Sequence, residues 1–414
     1  MAGTYFEYHE NRFPPGGSDA DYLDRPFQPE KPPFDWHKVR QRMIGSLAVA
    51  CAVVGGYNAM NAPEKRRIAE AEMSLTQVHE ALHADDADAV TIVAGGLGQR
   101  NAKYAAKNLE QLAEYGDVWE LEHDDKTISP AAATALIRQK LDAAGKTRVS
   151  FYGASMGGNE LIEVASNLWE QAPHIITEVI YADSSPCTIN SVRPEMRHRG
   201  DIGFSLIDQI PDAEYNWLVR YVGETIIRSP WFIREESIQT EQGAALTSQI
   251  FDFERFIFTS NTVWKYIITS PNSASTPLAS AQFRYLLGAD SRAALGRFEH
   301  GNVTRQRPVF VYIRAEDARQ DGVVNVEEAE ACFAEIADDY HLSFASIRVG
   351  GMEHTLVSSK LKPFKETLAQ ELPAITNLVT AARRATVRVP LFTAAEKATQ
   401  NTLLQRPNVP YIDK

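Results

Sequence analysis

The chain has 414 residues, enough for one large domain with an insertion or for two domains. It carries 54 acidic against 42 basic residues, a net charge of −12, which excludes a general electrostatic grip on nucleic acid. The three cysteines and ten histidines show no zinc spacing, no HExxH and no disulfide framework, so no metal is expected.

Residues 1–42 read as a disordered tail, with repeated proline and glycine and no apolar periodicity. Residues 43–63, MIGSLAVACAVVGGYNAMNAP, run for 21 positions without a charge. A helix needs roughly 20 residues to cross a bilayer core. A single transmembrane anchor is the favoured reading, with a cleaved export signal and a buried helix as alternatives. Lys31, Lys38, Arg40 and Arg42 precede the run, and Lys65, Arg66 and Arg67 follow it. This balance leans towards a cytoplasmic N-terminus and an extracytoplasmic main domain. Residues 64–87 are expected to form a linker helix on the stripe Ile68, Met73, Leu75, Val78 and Leu82.

From residue 88 short apolar runs alternate with helical patterns. Strands are expected at 89–96, 117–123, 148–155 and 174–186, and helices at 105–116, 129–146 and 158–172. The alternation stops over residues 187–305, which are rich in Trp, Phe, Tyr and Ile and read as helices. It resumes with strands at 307–317 and 342–351, a helix at 325–340, and a final helix within 355–371. Such alternation implies an α/β fold, a mostly parallel sheet flanked by helices. The core is expected in two parts, 88–186 and 306–375, split by a mainly helical cap at 187–305. Residues 376–414 form a basic C-terminal extension.

The stretch VSFYGASMGG, residues 149–158, places Ser155 between Gly153 and Gly157, directly after a strand and before a helix. A plain tight turn would account for the glycines. A strand–turn–helix elbow would also account for the serine, which it lifts clear of the sheet as a nucleophile. A serine hydroxyl needs a base, and the base needs an orienting carboxylate. His354 follows the last strand and the Gly350-Gly351 turn, and is the candidate base. Asp321 is the favoured acid because Gly-Val-Val and a helix follow it; Asp317 is closer to its strand, and Asp183 ends another. Oxyanion donors are expected from the backbone N–H of Met156 and from Gly96 or Leu97 in the glycine-rich loop after the first core strand. That loop, GGLGQ, lacks the full dinucleotide-binding spacing, so no cofactor is expected.

The order Ser155, Asp321, His354, the elbow, the glycine-rich loop and the inserted cap resemble the α/β-hydrolase superfamily over roughly residues 88–375. One departure is Ala94-Gly95, where many members have His-Gly. The resemblance implies a serine hydrolase that cleaves a carboxylic ester or thioester, which the uncharged run at 43–63 would anchor in a membrane. Its substrate would be a small-molecule or lipid-like acyl compound, and the aromatic cap suggests an apolar acyl or alkyl group. An acyltransferase with the same triad is one alternative. A catalytically silent, membrane-tethered binding protein on this scaffold is another.

Overall fold

The computed structural model describes residues 36–210, 212, 215–227, 233–239, 245–268, 270, 272–299, 305–356 and 361–387. The expected tail lies almost wholly outside these residues. The chain forms two units, Met1–Asn58 and Ala59–Lys414, and the sheet lies in the second.

In chain order the strands are β1 (Ser74–His79), β2 (Ala89–Ala94), β3 (Asp117–Glu122), β4 (Arg148–Ala154), β5 (Ile176–Asp183), β6 (Ile233–Gln239), β7 (Ala245–Phe251), β8 (Val309–Ala315) and β9 (Ser343–Val349). Seven of them form one sheet in the order β1-β3-β2-β4-β5-β8-β9. All pair in parallel except β1, which runs antiparallel to β3. Strands β2 and β8 are buried along their whole length, as strands covered on both faces must be. One face packs on the helices Pro130–Ala144, Met156–Gln171 and Val326–Asp339 through residues such as Ile137, Leu161, Leu168 and Phe333. The other packs on the helices Lys103–Lys107 and Leu361–Val387 through Ala105, Ala106, Phe364 and Leu368.

The ends of the helix Pro130–Ala144 follow directly from sequence. The Ser129 hydroxyl accepts the Ala132 N–H, Pro130 starts the first turn, and Gly145 closes the helix at φ 66°.

Several expectations are corrected. The linker helix at 64–87 is instead the end of the helix Trp36–Glu70 followed by β1. Leu75 and Val78, three apart, would share a helix face; on a strand they point to opposite faces. Here Leu75 packs on one core cluster and Val78 on the other. The single helix at 105–116 is a short helix plus a 3-10 turn at Glu110–Tyr115. The final helix runs from Leu361 to Val387, well into the expected extension.

Residues 43–63 lie within the helix Trp36–Glu70, but most side chains over 36–54 lie outside the described residues. Among the described residues no helix is long and apolar enough to cross a membrane. The end of the expected anchor belongs to the folded body: Asn61 is buried and its Oδ1 accepts from Asn216 Nδ2 at 3.0 Å. Beyond it, Lys65 pairs with Asp212 and Arg67 with the buried Asp125.

The insertion carries the helices Pro194–Asp208, Trp217–Ile227, Phe253–Val263 and Thr276–Gly288. It also holds an antiparallel hairpin, β6–β7, in an insertion expected to be mainly helical. Its aromatic residues divide between two roles. Phe204 and Phe283 stack with centroids 4.9 Å apart in a small core, while Trp217, Phe253, Phe258 and Trp264 are exposed. A disulfide joins Cys187, just after β5, to Cys332 in the helix Val326–Asp339, a pairing for which no sequence feature argues.

Candidate active site

Ser155 sits between β4 and the helix Met156–Gln171 with φ 53° and ψ −123°. That backbone region is costly for a residue with a side chain, so the surroundings must hold it. They do so by close packing. A Cβ on Gly153 would lie 2.4 Å from the Gly157 carbonyl oxygen, and one on Gly157 would lie 2.3 Å from that of Gly95. The Ser155 N–H donates to the Asp183 carbonyl at 2.7 Å, and its carbonyl accepts the Gly158 N–H at 2.9 Å. The glycines therefore do more than tighten a turn: they let helix, strand and loop meet around one serine.

His354 follows β9, as its place in the sequence suggests. Its Nε2 lies 2.9 Å from Ser155 Oγ, and its Nδ1 lies 3.0 and 2.9 Å from the two carboxylate oxygens of Asp321. An ionised carboxylate can only accept, so Nδ1 carries the proton and Nε2 is left to accept from the serine hydroxyl. Asp321 is fully buried, and its Oδ1 also accepts the N–H groups of Val323 and Val324 at 2.9 and 2.8 Å. Arg193, at the start of the cap, secures this loop through the carbonyls of Asp321 and Ala318 at 2.7 and 2.9 Å. No motif points to Arg193 in the sequence. Ser155 is 6% exposed and the His354 side chain 19%.

The two other acids stand elsewhere. Asp317 is exposed and binds Arg319 at 3.0 Å, whose hydrogen bonds hold its carboxyl below the ordinary range. Asp183 is fully buried beneath the site. It accepts the Tyr152 hydroxyl at 2.6 Å and the Leu356 N–H at 2.9 Å, and burial pushes it up to about 7.

The oxyanion candidates separate as well. Gly96 lies against the nucleophile: a Cβ there would stand 3.2 Å from Ser155 Cβ. Its N–H, however, donates to Gln99 Oε1 at 3.1 Å. Met156 opens its helix, so its N–H has no intrahelical acceptor to meet. Leu97 follows Gly96 in the same loop and is exposed.

The strand order, the antiparallel first strand, the elbow after β4 and the acid and histidine loops after β8 and β9 have the layout of the α/β-hydrolase fold. No family profile matches the sequence, and no curated protein matches it. Similar solved structures include a carboxylesterase of the thaumarchaeon Nitrososphaera gargenis, at 12% identity and a TM-score of 0.44 over 74% of this chain and 97% of that one. MenH of S. aureus stands at 13% and 0.44 over 74% and 99%. A proline iminopeptidase of Mycobacterium smegmatis stands at 16% and 0.41 over 76% and 98%. These likenesses are of fold alone.

Proposed function

We propose that the chain is a serine hydrolase that cleaves a carboxylic ester or thioester through an acyl-enzyme. The observation that carries this reading is the unbroken line of hydrogen bonds from Asp321 through His354 to Ser155. Ser155 Oγ adds to the acyl carbon while its proton passes to His354 Nε2, and Asp321 holds the resulting imidazolium. The charge that forms on the carbonyl oxygen meets the N–H groups of Met156 and Leu97. The C–O or C–S bond then breaks, and the leaving group takes the proton from Nε2. Water adds to the acyl carbon, gives a proton to the same nitrogen, and the acid departs as Ser155 is restored.

An apolar acyl or alkyl group fits the surroundings. The side chain of Met156 packs with Val192 and Leu286 of the cap, and the cap exposes Trp217, Phe253 and Phe258 outside. Membrane attachment through residues 43–58 and an oxidising compartment belong to the same proposal. The Cys187–Cys332 disulfide supports the compartment, and flotation with lipid vesicles tests the attachment.

The test of the chemistry is covalent labelling by a fluorophosphonate. Wild type labels at Ser155 and Ser155→Ala does not. A folded wild-type chain that stays unlabelled overturns the reading in favour of a silent binding protein.

A further inference from the structure

The glycine-rich loop after β2 is held from the cap as well as from β3, where the Arg100 carbonyl accepts the His123 N–H at 2.9 Å. Ala94 is the last residue of β2, and beyond it residues 98–100 turn their backbone groups towards the segment 272–282. The Gly98 carbonyl accepts the Ala274 N–H at 2.9 Å, and the Arg100 N–H donates to the Asn272 carbonyl at 2.9 Å. Between these two bonds lies one side chain. Gln282, fully buried on the helix Thr276–Gly288, accepts the Gly98 N–H at Oε1 and donates from Nε2 to the Gln99 carbonyl, both at 2.8 Å. Its amide thus ties the backbone of two successive residues, Gly98 and Gln99. Gly98 itself sits at φ 82° in open space, so local sterics alone do not fix the loop.

The helix that carries Gln282 is anchored in turn. Ser275 caps it by accepting the Leu278 N–H, and the buried Asp125 accepts the Ser275 N–H at 2.7 Å. Asp125 also takes Arg67 from the N-terminal helix and lies 3.5 Å from Arg100. One connected set of bonds therefore runs from the folded body through the cap to the loop beside Ser155.

We infer that Gln282 is a positioning residue for the oxyanion donor: it holds the loop so that the Leu97 N–H faces the acyl oxygen, and it makes the oxyanion site depend on a seated cap. This rests on the hydrolase reading above. An oxyanion donor displaced by a fraction of an ångström loses stabilisation of the transition state while leaving ground-state binding little changed.

The test compares wild type, Gln282→Met and Gln282→Glu as full-length chains, with 4-nitrophenyl butanoate and its thiono analogue as probes. Met keeps the volume and loses both bonds. Glu keeps the acceptor for Gly98 and loses the donor to Gln99. Expected for Gln282→Met is a fall in kcat of about 10- to 100-fold with KM within about twofold. Gln282→Glu falls between it and wild type. The ester-to-thionoester rate ratio shrinks, because sulfur is a poor acceptor and already forgoes the donor. The pH dependence of kcat keeps its shape. Hydrogen exchange over residues 96–100 speeds up at least about tenfold, with the rest of the sheet unchanged.

A kcat unchanged in both variants overturns the inference, as does exchange in 96–100 equal to that of wild type. A rate loss with an unaltered ester-to-thionoester ratio assigns Gln282 to structure alone and also overturns it. A wild-type chain that neither labels nor turns over the ester sinks the hydrolase reading. The exchange measurement still decides whether Gln282 holds the loop.

Discussion

The buried carboxylate of Asp183 receives the Leu356 N–H at 2.9 Å, so an acid at the end of β5 holds the loop that carries His354. Two fully buried aspartates thus serve one histidine in different ways. Asp321 meets the imidazole, and Asp183 fixes the backbone two residues further on.

Burial keeps the Asp183 proton in place up to about 7, against 3.8 in an unfolded chain. Between those values the folded chain binds the more protons. The stability this group contributes is complete below the unfolded value and is lost as pH rises through the folded one. Asp183→Asn keeps an oxygen for Leu356 and Tyr152 and puts its NH2 where Oδ1 has no hydrogen-bond partner. Unfolding free energies of the wild type from urea titrations should therefore fall between about pH 4 and about pH 7, by on the order of a few kcal/mol. Those of the variant should stay level over that range, and a slope that survives in the variant places the titration elsewhere.

The choice of triad acid gives a sharp contrast. Asp321→Asn removes the acceptor that sets the imidazole tautomer, and kcat on a 4-nitrophenyl ester should fall by about 10⁴-fold. Asp317→Asn alters only an exposed pair with Arg319 and should stay within about twofold. Equal losses in the two variants would remove Asp321 from the proposed role.

At the elbow, Gly157→Ala forces a Cβ to 2.3 Å from the Gly95 oxygen, where only backbone can give way. The expected cost exceeds about 2 kcal/mol in chemical denaturation, together with loss of fluorophosphonate labelling. Gly145→Ala, at φ 66° in open space, should cost about 1 kcal/mol and leave labelling intact.

Reduction of the Cys187–Cys332 disulfide releases a loop of 145 residues in the unfolded chain. Chain-entropy arguments put its contribution at about 4 to 5 kcal/mol. Thermal unfolding with and without reductant should differ accordingly, and Cys187→Ala should abolish that difference. An unfolding temperature indifferent to reductant would show that the pairing does not stabilise the fold.

The parallel strands are legible in the sequence because strands covered on both faces must be nearly all apolar, as AVTIVA and VFVYIRA are. Ser155 and His354 are legible because their neighbours, glycines after strands, carry a local backbone signal. β1 is not, because Leu75 and Val78 fit a helical spacing and only pairing with β3 decides between the two. The acid is half legible: Asp317 and Asp321 stand four residues apart, and Arg319 and the N–H groups of Val323 and Val324 separate them in space. Gln282 and Arg193 leave no trace at all. Each acts on backbone groups more than a hundred residues away, and such a partner has no periodicity or motif to betray it.

The insertion divides the molecule so that Ser155 and its holder strands precede it while Asp321 and His354 follow it. A protease that cut one peptide bond anywhere between residues 187 and 332 would split the nucleophile and its base onto separate polypeptides. The disulfide would keep the two pieces as one particle, and the shared β5–β8 pairing would keep them in register. A nicked enzyme would run as two bands only under reducing conditions and as one without reductant.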